Sequence, residues 1–299
     1  MNYTRLEEIC RANGIPCESD KPLAPLTTMK IGGACDRLTD EKELLPAVDS
    51  CRSAGIPYFI LGRGSNLLVS SAGFRGCVIW LAPGNSPASV SGNTITAWAG
   101  ASLQRVCVLA RDNSLAGLEF AYGIPGSVGG ALFMNAGAYG GEMKDVVTSC
   151  RYIGADGGIH EMQAADMQLA YRSSIFSNGN YVITSVTMEL RPGDKAEITV
   201  RMDELMQRRR DKQPLNYPSC GSTFKRPEGY FAAALIEECG LKGFSIGGAQ
   251  VSDKHSGFVI NRDNATFEDV MAVVGEVRRV VLEKKGVELE CEMLILGEH

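Results

Sequence analysis

The sequence predicts an α+β fold, and three features of its 299 residues carry that prediction. Helix and strand signals alternate through the first hundred residues. A glycine-dense central block then opens into two strand patterns, at 146 to 153 and 181 to 190. Past 194, helices at about 195 to 212, 229 to 239 and 267 to 285 alternate with short strands at 257 to 261 and 287 to 296.

Taken in order, residues 40 to 53 open with the capping box Asp40-x-x-Glu43 and set Leu44, Val48 and Cys51 on one face, until Gly55 and Pro57 stop the helix. The apolar strand YFILG at 58 to 62 runs into GRGSN and then into LLVS. Strands at 77 to 81 and 94 to 99 precede a helix capped by Ser102, with Leu103, Val106, Cys107 and Ala110 on its buried side. GADGG reads as a hairpin after the 146 to 153 strand. RPGD at 191 to 194 closes a strand and opens a helix with the box Asp194-x-x-Glu197, so it marks the main domain boundary. The clearest helix is the last, with Thr266-x-x-Asp269 as its box, a stripe of Val270, Val273, Val274, Val277 and Val281, and Gly286 as its stop. No internal repeat appears.

Composition excludes several classes. An apolar fraction of 44% and a charged fraction of 22% are those of a globular protein. No apolar run approaches the roughly 18 residues of a membrane helix, and the N-terminal stretch lacks a signal-peptide core, so a cytoplasmic location is expected, with no membrane partner. With a net charge of −5 and scattered basic residues, no nucleic-acid partner is expected, and the run Arg208, Arg209, Arg210 reads as a solvated helix face. The ten cysteines show no C-x-x-C spacing and sit in apolar segments, and histidine occurs only as His160, His255 and His299. Reduced, mostly buried thiols are expected, and no metal site.

Two glycine loops carry the chemistry that residues alone can suggest. GRGSN at 62 to 66 lacks the third glycine of a dinucleotide fingerprint, because Leu67 follows in a β-like run. It reads either as a tight strand-to-strand turn or as a backbone nest for phosphate. IPGSVGG at 124 to 130 is a second such loop, inside a block with eight glycines between 117 and 141. Together they suggest a large phosphate-bearing ligand, the alternative being that each glycine serves its own turn. Arg172 in AYRSSIF could grip a carboxylate with paired hydrogen bonds or stand as a surface arginine. Ser222 lies in KQPLNYPSCGSTFKRPEG with no G-x-S-x-G elbow, so a proton donor suits it better than a hydrolytic nucleophile. In VELECEMLIL one face carries Val287, Leu289, Cys291, Met293 and Ile295. The other passes from Glu288 and Glu290 through Glu292 to Leu294 and Leu296, placing Glu292 where a wet face becomes covered. His255 in VSDKHSGFVIN reads as a satisfied histidine or as a ligand contact.

TTMKIGG (27 to 33), LGRGSNLLVS (61 to 70), the glycine block, YRSSIF (171 to 176), YPSCGSTFKRP (217 to 227) and VELECEMLILG (287 to 297) occur in one order along nearly the whole chain. In these segments the sequence resembles the UDP-N-acetylenolpyruvoylglucosamine reductases, the MurB family. That resemblance implies an FAD-binding fold of the vanillyl-alcohol-oxidase (PCMH) type in two α+β subdomains, 1–80 and 81–193, followed by an α+β substrate-binding domain at 194–299. It implies non-covalent FAD, NADPH as electron donor, and UDP-N-acetylglucosamine enolpyruvate as substrate.

By the same resemblance the catalytic roles fall on Arg172, Ser222 and Glu292. The flavin diphosphate falls to Gly62, Arg63, Gly64, Ser65 and Asn66, and to Ile124, Pro125, Gly126, Ser127, Gly129 and Gly130, with Asn135 and Gly137 further along the glycine block. Tyr171, Tyr217, Lys225, Arg226 and His255 are the expected substrate contacts, Arg226 toward the UDP diphosphate. The chain departs from the family pattern in two places. RPGD passes straight into a helix, as in a shorter subgroup lacking a tyrosine-bearing substrate loop, and Cys291 and Met293 flank Glu292 where proline and valine are usual. An oxidase of the same flavin fold and a non-catalytic UDP-sugar sensor are the alternative readings.

Overall fold

The computed structural model describes residues 1–40, 44–81, 88–179 and 181–298. They form two compact units, each assembled from separated stretches of chain. The first contains 1–17, 39–63 and 78–209; the second contains 18–38, 64–77 and 210–299. This division cuts across three consecutive ranges ending at 80, 193 and 299. Turns such as RPGD mark local breaks in the chain, whereas the units are defined by pairing between strands remote in sequence.

In the first unit the helices Thr4–Ala12 and Leu44–Ser53 pack together through Leu6, Cys10, Leu44, Val48 and Cys51, all buried. The second helix is described from Leu44; Asp40 belongs to the strand Ala34–Asp40, and Glu43 of the expected box lies outside the described residues. A five-stranded antiparallel sheet follows the order Ile159–Gln163, Val147–Ile153, Val182–Glu189, Thr94–Trp98, Ala88–Ser91. Its middle strand sets Val186 opposite both Cys150 and Ala97, and the alternation of Val182–Glu189 buries that face. Residues 154 to 158 form the expected hairpin, with Gly154 N–H donating to Gly158 O at 2.8 Å.

Ser102 stands at the N-cap of Leu103–Asp112, but its side chain makes no capping bond. Its backbone is instead bridged antiparallel to Ser127, which a local capping pattern does not reveal. The helix Lys195–Lys212 buries Ile198, Met202 and Leu205, and Asp194 Oδ1 caps it by accepting from Ala196 N and Glu197 N at 2.8 and 3.0 Å.

The second unit is built around the helix Phe267–Lys285, whose valine stripe, extended by Val280, packs against Ala232–Glu238 and a three-stranded antiparallel sheet of Ser245–Ile246, Ala249–Val251 and Val259–Asn261. The capping box of Thr266 and Asp269 is formed, and Gly286 closes the helix at φ +68°.

The expected strand at 287 to 296 shortens to Leu294–Leu296, parallel to Leu67–Val69. Upstream, the tract meets residues 223 to 225 through single bonds: Lys225 N–H donates to Glu290 O and Glu292 N–H to Thr223 O, both at 2.8 Å. Leu294, which the alternation would cover, is exposed at 37%. All ten cysteines are free thiols, eight of them buried. Among the described residues no helix is long and apolar enough to cross a membrane, and no group of acidic, histidine or cysteine side chains is placed to hold a metal ion.

Candidate active site

In the first unit the two glycine loops touch. A methyl group at Gly62 would collide with Ser127 Oγ, so only glycine lets the loops approach this closely. Ser127 is buried, and its Oγ accepts from Gly130 N at 3.2 Å. The IPGSVGG loop is pinned along residues 99 to 103: Val128 N–H donates to Ala101 O at 2.9 Å, Gly129 N–H to Ala99 O at 2.8 Å, and Leu103 N–H to Gly126 O at 3.0 Å. A methyl at Gly129 would lie 2.7 Å from Ala99 Cβ. Gly129 and Gly130 therefore shape the loop by close packing, and their N–H groups are already spent. Pro125 projects outward, and Ile124 and Gly126 are partly exposed.

GRGSN carries the chain from the first unit to the second. Gly64 needs its glycine twice over: its φ is +58°, and a methyl there would lie 2.6 Å from Leu26 O. Its carbonyl accepts from Thr28 N at 3.1 Å, while Thr28 Oγ1 donates to Ser219 O at 2.7 Å. Asn66 works structurally, with Nδ2 donating to Glu292 O at 3.0 Å and its carbonyl accepting from Leu294 N at 2.9 Å. Arg63 is exposed and Ser65 partly so, leaving both side chains available to a ligand.

Arg172 occupies the left-handed region at φ +52°, a strained conformation for a side chain of this size. It sits in a turn closed by reciprocal backbone bonds between Ala170 and Ser173, with its guanidinium 5.0 Å from the centroid of the exposed Tyr171 ring and Nη2 donating to Gly137 O at 3.3 Å. Asn135 lies beneath that turn, fully buried. Its Nδ2 donates to Ala170 O and Glu142 Oε2 at 3.0 and 3.1 Å, and its Oδ1 accepts from Lys144 N at 2.9 Å. Protein groups thus engage both ends of the Asn135 side chain. Lys144, by hydrogen bonding, is the main group holding the Glu142 carboxyl below its usual range, with Asn135 and the charge of Arg172 adding to it.

In the second unit Ser222 sits on a rigid tract. Next to it Thr223 is buried, its N–H donating to Gly257 O at 2.8 Å and its Oγ1 accepting from Val259 N at 2.9 Å, while Cys220 Sγ donates to Leu67 O at 3.1 Å. The Ser222 side chain is partly exposed and has no hydrogen-bond partner among the described residues. Glu292 N–H meets Thr223 O across this tract, so Ser222 and Glu292 are held by the same short pairing.

Of the expected substrate contacts, Lys225 pairs with Glu290 at 2.5 Å, and the exposed Arg226 stacks 4.3 Å from the Phe231 centroid. Tyr217 lies under Arg262, 5.7 Å from its guanidinium, beside a polar cleft of about 500 Å³ that Lys30, Asn261 and Asp263 also line. His255 is held within its own turn. Its Nδ1 accepts from Gly257 N at 3.1 Å, burial pushes its pKa down, and its ring packs edge-on against Phe258. It thus braces the turn that receives Thr223.

Sequence reasoning missed Asn135 as a support for Arg172, although an asparagine inside a glycine block is a recognisable candidate for positive φ, here +39°. It also missed Thr28, whose bonds are all long-range.

Two sequence families match the chain: an FAD binding domain over residues 34–163 and the UDP-N-acetylenolpyruvoylglucosamine reductase C-terminal domain over 213–296. A UDP-N-acetylenolpyruvoylglucosamine reductase of Clostridium perfringens is 48% identical across 93% of this chain and 92% of its own length. The chain belongs to this reductase family. A second member, from Lachnoclostridium phytofermentans, is 44% identical across 100% of this chain and 99% of its own. The crystal structure of the family's Thermus caldophilus member, titled MurB, superposes with a TM-score of 0.78 at 31% identity, covering 95% of this chain and 99% of that one. The expected flavoprotein fold is thereby established for the chain.

The residues present suit FAD. Gly62 approaches Ser127 so closely that any side chain would fill the space between the two loops, and the exposed Arg63 beside it has no partner among the described residues.

Proposed function

We propose that this chain reduces the enolpyruvyl ether of UDP-N-acetylglucosamine enolpyruvate to UDP-N-acetylmuramate, with non-covalently bound FAD and with NADPH as donor. The observation that carries the reading is family likeness over nearly the whole chain, which spans every segment holding a proposed site residue. The flavin, when bound, supplies a two-electron relay between NADPH and the terminal methylene carbon of the substrate.

The protein's own groups handle charge and proton. Hydride addition at the methylene carbon leaves negative charge spread toward the substrate carboxylate, and Arg172 is the group proposed to hold that carboxylate. A positioned cation of this kind is worth roughly 3 to 4 kcal/mol in the transition state. Ser222, whose hydroxyl is not engaged by the protein, would give its proton to the adjacent carbon and complete the lactyl ether. Glu292, tied through its backbone to Thr223 and Asn66, would present a proton or orient the charged partner. Arg63, Ser65, Ile124, Pro125 and Gly126 are the proposed contacts to the flavin diphosphate. Tyr171, Tyr217, Lys225 and Arg226 are proposed for the sugar nucleotide, with Arg226 on its diphosphate.

Residues 1–193 would supply most of the flavin site and 194–299 most of the substrate site. The enzyme would act in the cytoplasm on cell-wall precursors, and so serve cell shape and division, without metal, membrane or nucleic acid. Purified protein mixed with NADPH and the enolpyruvyl sugar should lose nicotinamide absorbance only when both are present. Loss that ignores the sugar would reject the assignment.

A further inference from the structure

Residues 27 to 30 fold back on themselves. Thr27 is buried, its Oγ1 donates to Ala24 O and accepts from Lys30 N, both at 3.1 Å, and Lys30 is held at φ +61°. This turn presents Thr28 to two stretches of chain that are remote in sequence. Its N–H donates to Gly64 O at 3.1 Å, and its hydroxyl donates to Ser219 O at 2.7 Å. The hydroxyl oxygen also lies 3.3 Å from Gly64 O, but it carries one proton, and the shorter contact takes it.

The two partners of Thr28 belong to different parts of the proposed chemistry. Gly64 lies in GRGSN and precedes Ser65, which is proposed for the flavin, while Ser219 opens the stretch SCGS that ends in Ser222. On its far side Ser222 is fixed by the bonds of Thr223 to Gly257 and Val259. On its near side Gly221 stands at φ +79° with nothing packed where a side chain would be, so that residue restrains little. The anchor there is at 218 and 219. Ser219 is bridged antiparallel to Ile260, Pro218 O accepts from Asn261 N at 2.9 Å, and Asn261 Nδ2 donates to Met29 O at 3.2 Å. The turn at 27 to 30 therefore grips this tract twice, directly through Thr28 and by way of Asn261 through Met29.

We propose that Thr28 is a positioning residue for the reduction: it clips the Ser222 tract to the GRGSN loop, so that the serine proton is delivered beside the carbon reduced at the flavin. A misplacement of about 1 Å in such an arrangement can cost on the order of 10²-fold in rate. The inference rests on the proposed reduction with Ser222 as its proton donor.

Thr28→Val keeps the N–H bond to Gly64 O and deletes the hydroxyl bond to Ser219 O; Thr28→Ser keeps both. In flavin-free protein, hydrogen exchange read by mass spectrometry should speed up about 5-fold across 219 to 222 in Thr28→Val, the size of one lost hydrogen bond, and stay as in wild type across 62 to 66 and throughout Thr28→Ser. In flavin-loaded protein, stopped flow should show reduction by NADPH at the wild-type rate. Reoxidation by the enolpyruvyl sugar should slow roughly 10-fold, with a larger solvent deuterium isotope effect, and serine should restore both. Thr28→Ala, a smaller deletion of the same hydroxyl, should reproduce the split. In a Ser222→Ala background Thr28→Val should slow the sugar step no further. Unchanged exchange at 219 to 222, equal slowing of both half-reactions, an isotope effect left at its wild-type size, or additive slowing in the Ser222→Ala background would overturn the proposal. The readings beneath it have their own controls: wild-type protein that the sugar does not reoxidise rejects the reduction, and a wild-type sugar step in Ser222→Ala alone rejects the serine as donor and Thr28 with it.

Discussion

Asn135 Nδ2 donates to the carbonyl oxygen of Ala170 at 3.0 Å, so a fully buried amide holds the turn on which Arg172 is mounted. Replacing Asn135 by leucine leaves Lys144 N without its acceptor and leaves Ala170 O with Ser173 N alone, at a cost of about 1 kcal/mol for each lost bond. The variant should melt lower. Its reaction with the enolpyruvyl sugar should slow more than its oxidation of NADPH, because the displaced residue is the one assigned to the substrate carboxylate. Stopped-flow measurement of the two half-reactions separates these effects, and equal slowing of both would refute a specific role beneath Arg172.

Ser222→Ala removes a hydroxyl that the protein does not otherwise use, so stability should change by less than about 0.5 kcal/mol. The NADPH half-reaction should keep its rate. The half-reaction with the enolpyruvyl sugar should slow by roughly 10²- to 10⁴-fold, the usual worth of a positioned proton donor. Damage confined to the NADPH step would remove Ser222 from the proposed role.

Gly62→Ala puts a methyl onto Ser127 Oγ, and overpacking of this kind costs about 1 to 3 kcal/mol. Either the two loops separate or Ser127 gives up its bond to Gly130 N. Both outcomes loosen the flavin cradle, so the variant should elute from gel filtration with less bound flavin than wild type. Gly275→Ala is the control, since that helical glycine has open space around it, no positive φ, and lies outside the loops.

Acid sensitivity should centre on the helix Phe267–Lys285. The Asp269 carboxyl is held below its usual range mainly by the backbone N–H of Thr266, at 3.0 Å, and then by that of Gly248, at 3.1 Å. Its folded pKa is lower than its unfolded one, so the stabilisation is full above the ordinary aspartate range and is lost as pH falls through the depressed value. Asp269→Asn should destabilise by about 1 kcal/mol at neutral pH, the usual worth of a cap. It should also flatten the loss of stability on acidification. Urea midpoints measured at neutral and acid pH would show whether wild type and variant converge.

Local chemistry made much of this protein legible in advance. The valine stripe from Val270 to Val281, its capping box and Gly286 required only nearest-neighbour rules, and they are all formed. The hairpin at 154 to 158 and the Asp194 cap were legible for the same reason. The two glycine loops could be seen as candidates for close approach, and the ordered motifs were specific enough to identify the family.

Partnerships across long sequence distance were decided only by the tertiary structure. That Gly62 is a glycine because of Ser127 depends on the 64 residues between them folding back, and no local pattern records it. The alternation of VELECEMLIL predicted a full strand, yet pairing with residues 223 to 225 and 67 to 69 leaves only Leu294–Leu296 regular and Leu294 exposed. Arg208, Arg209 and Arg210 are alike as letters and were expected to form one solvated face, yet packing alone turns the middle one onto Gly123. The sequence by itself determined which elements form and which family they build, because those follow from spacing and capping within a few residues. Which side chains are spent on the fold and which remain for a ligand was settled by contacts between distant segments, since each donor and each face can be used only once.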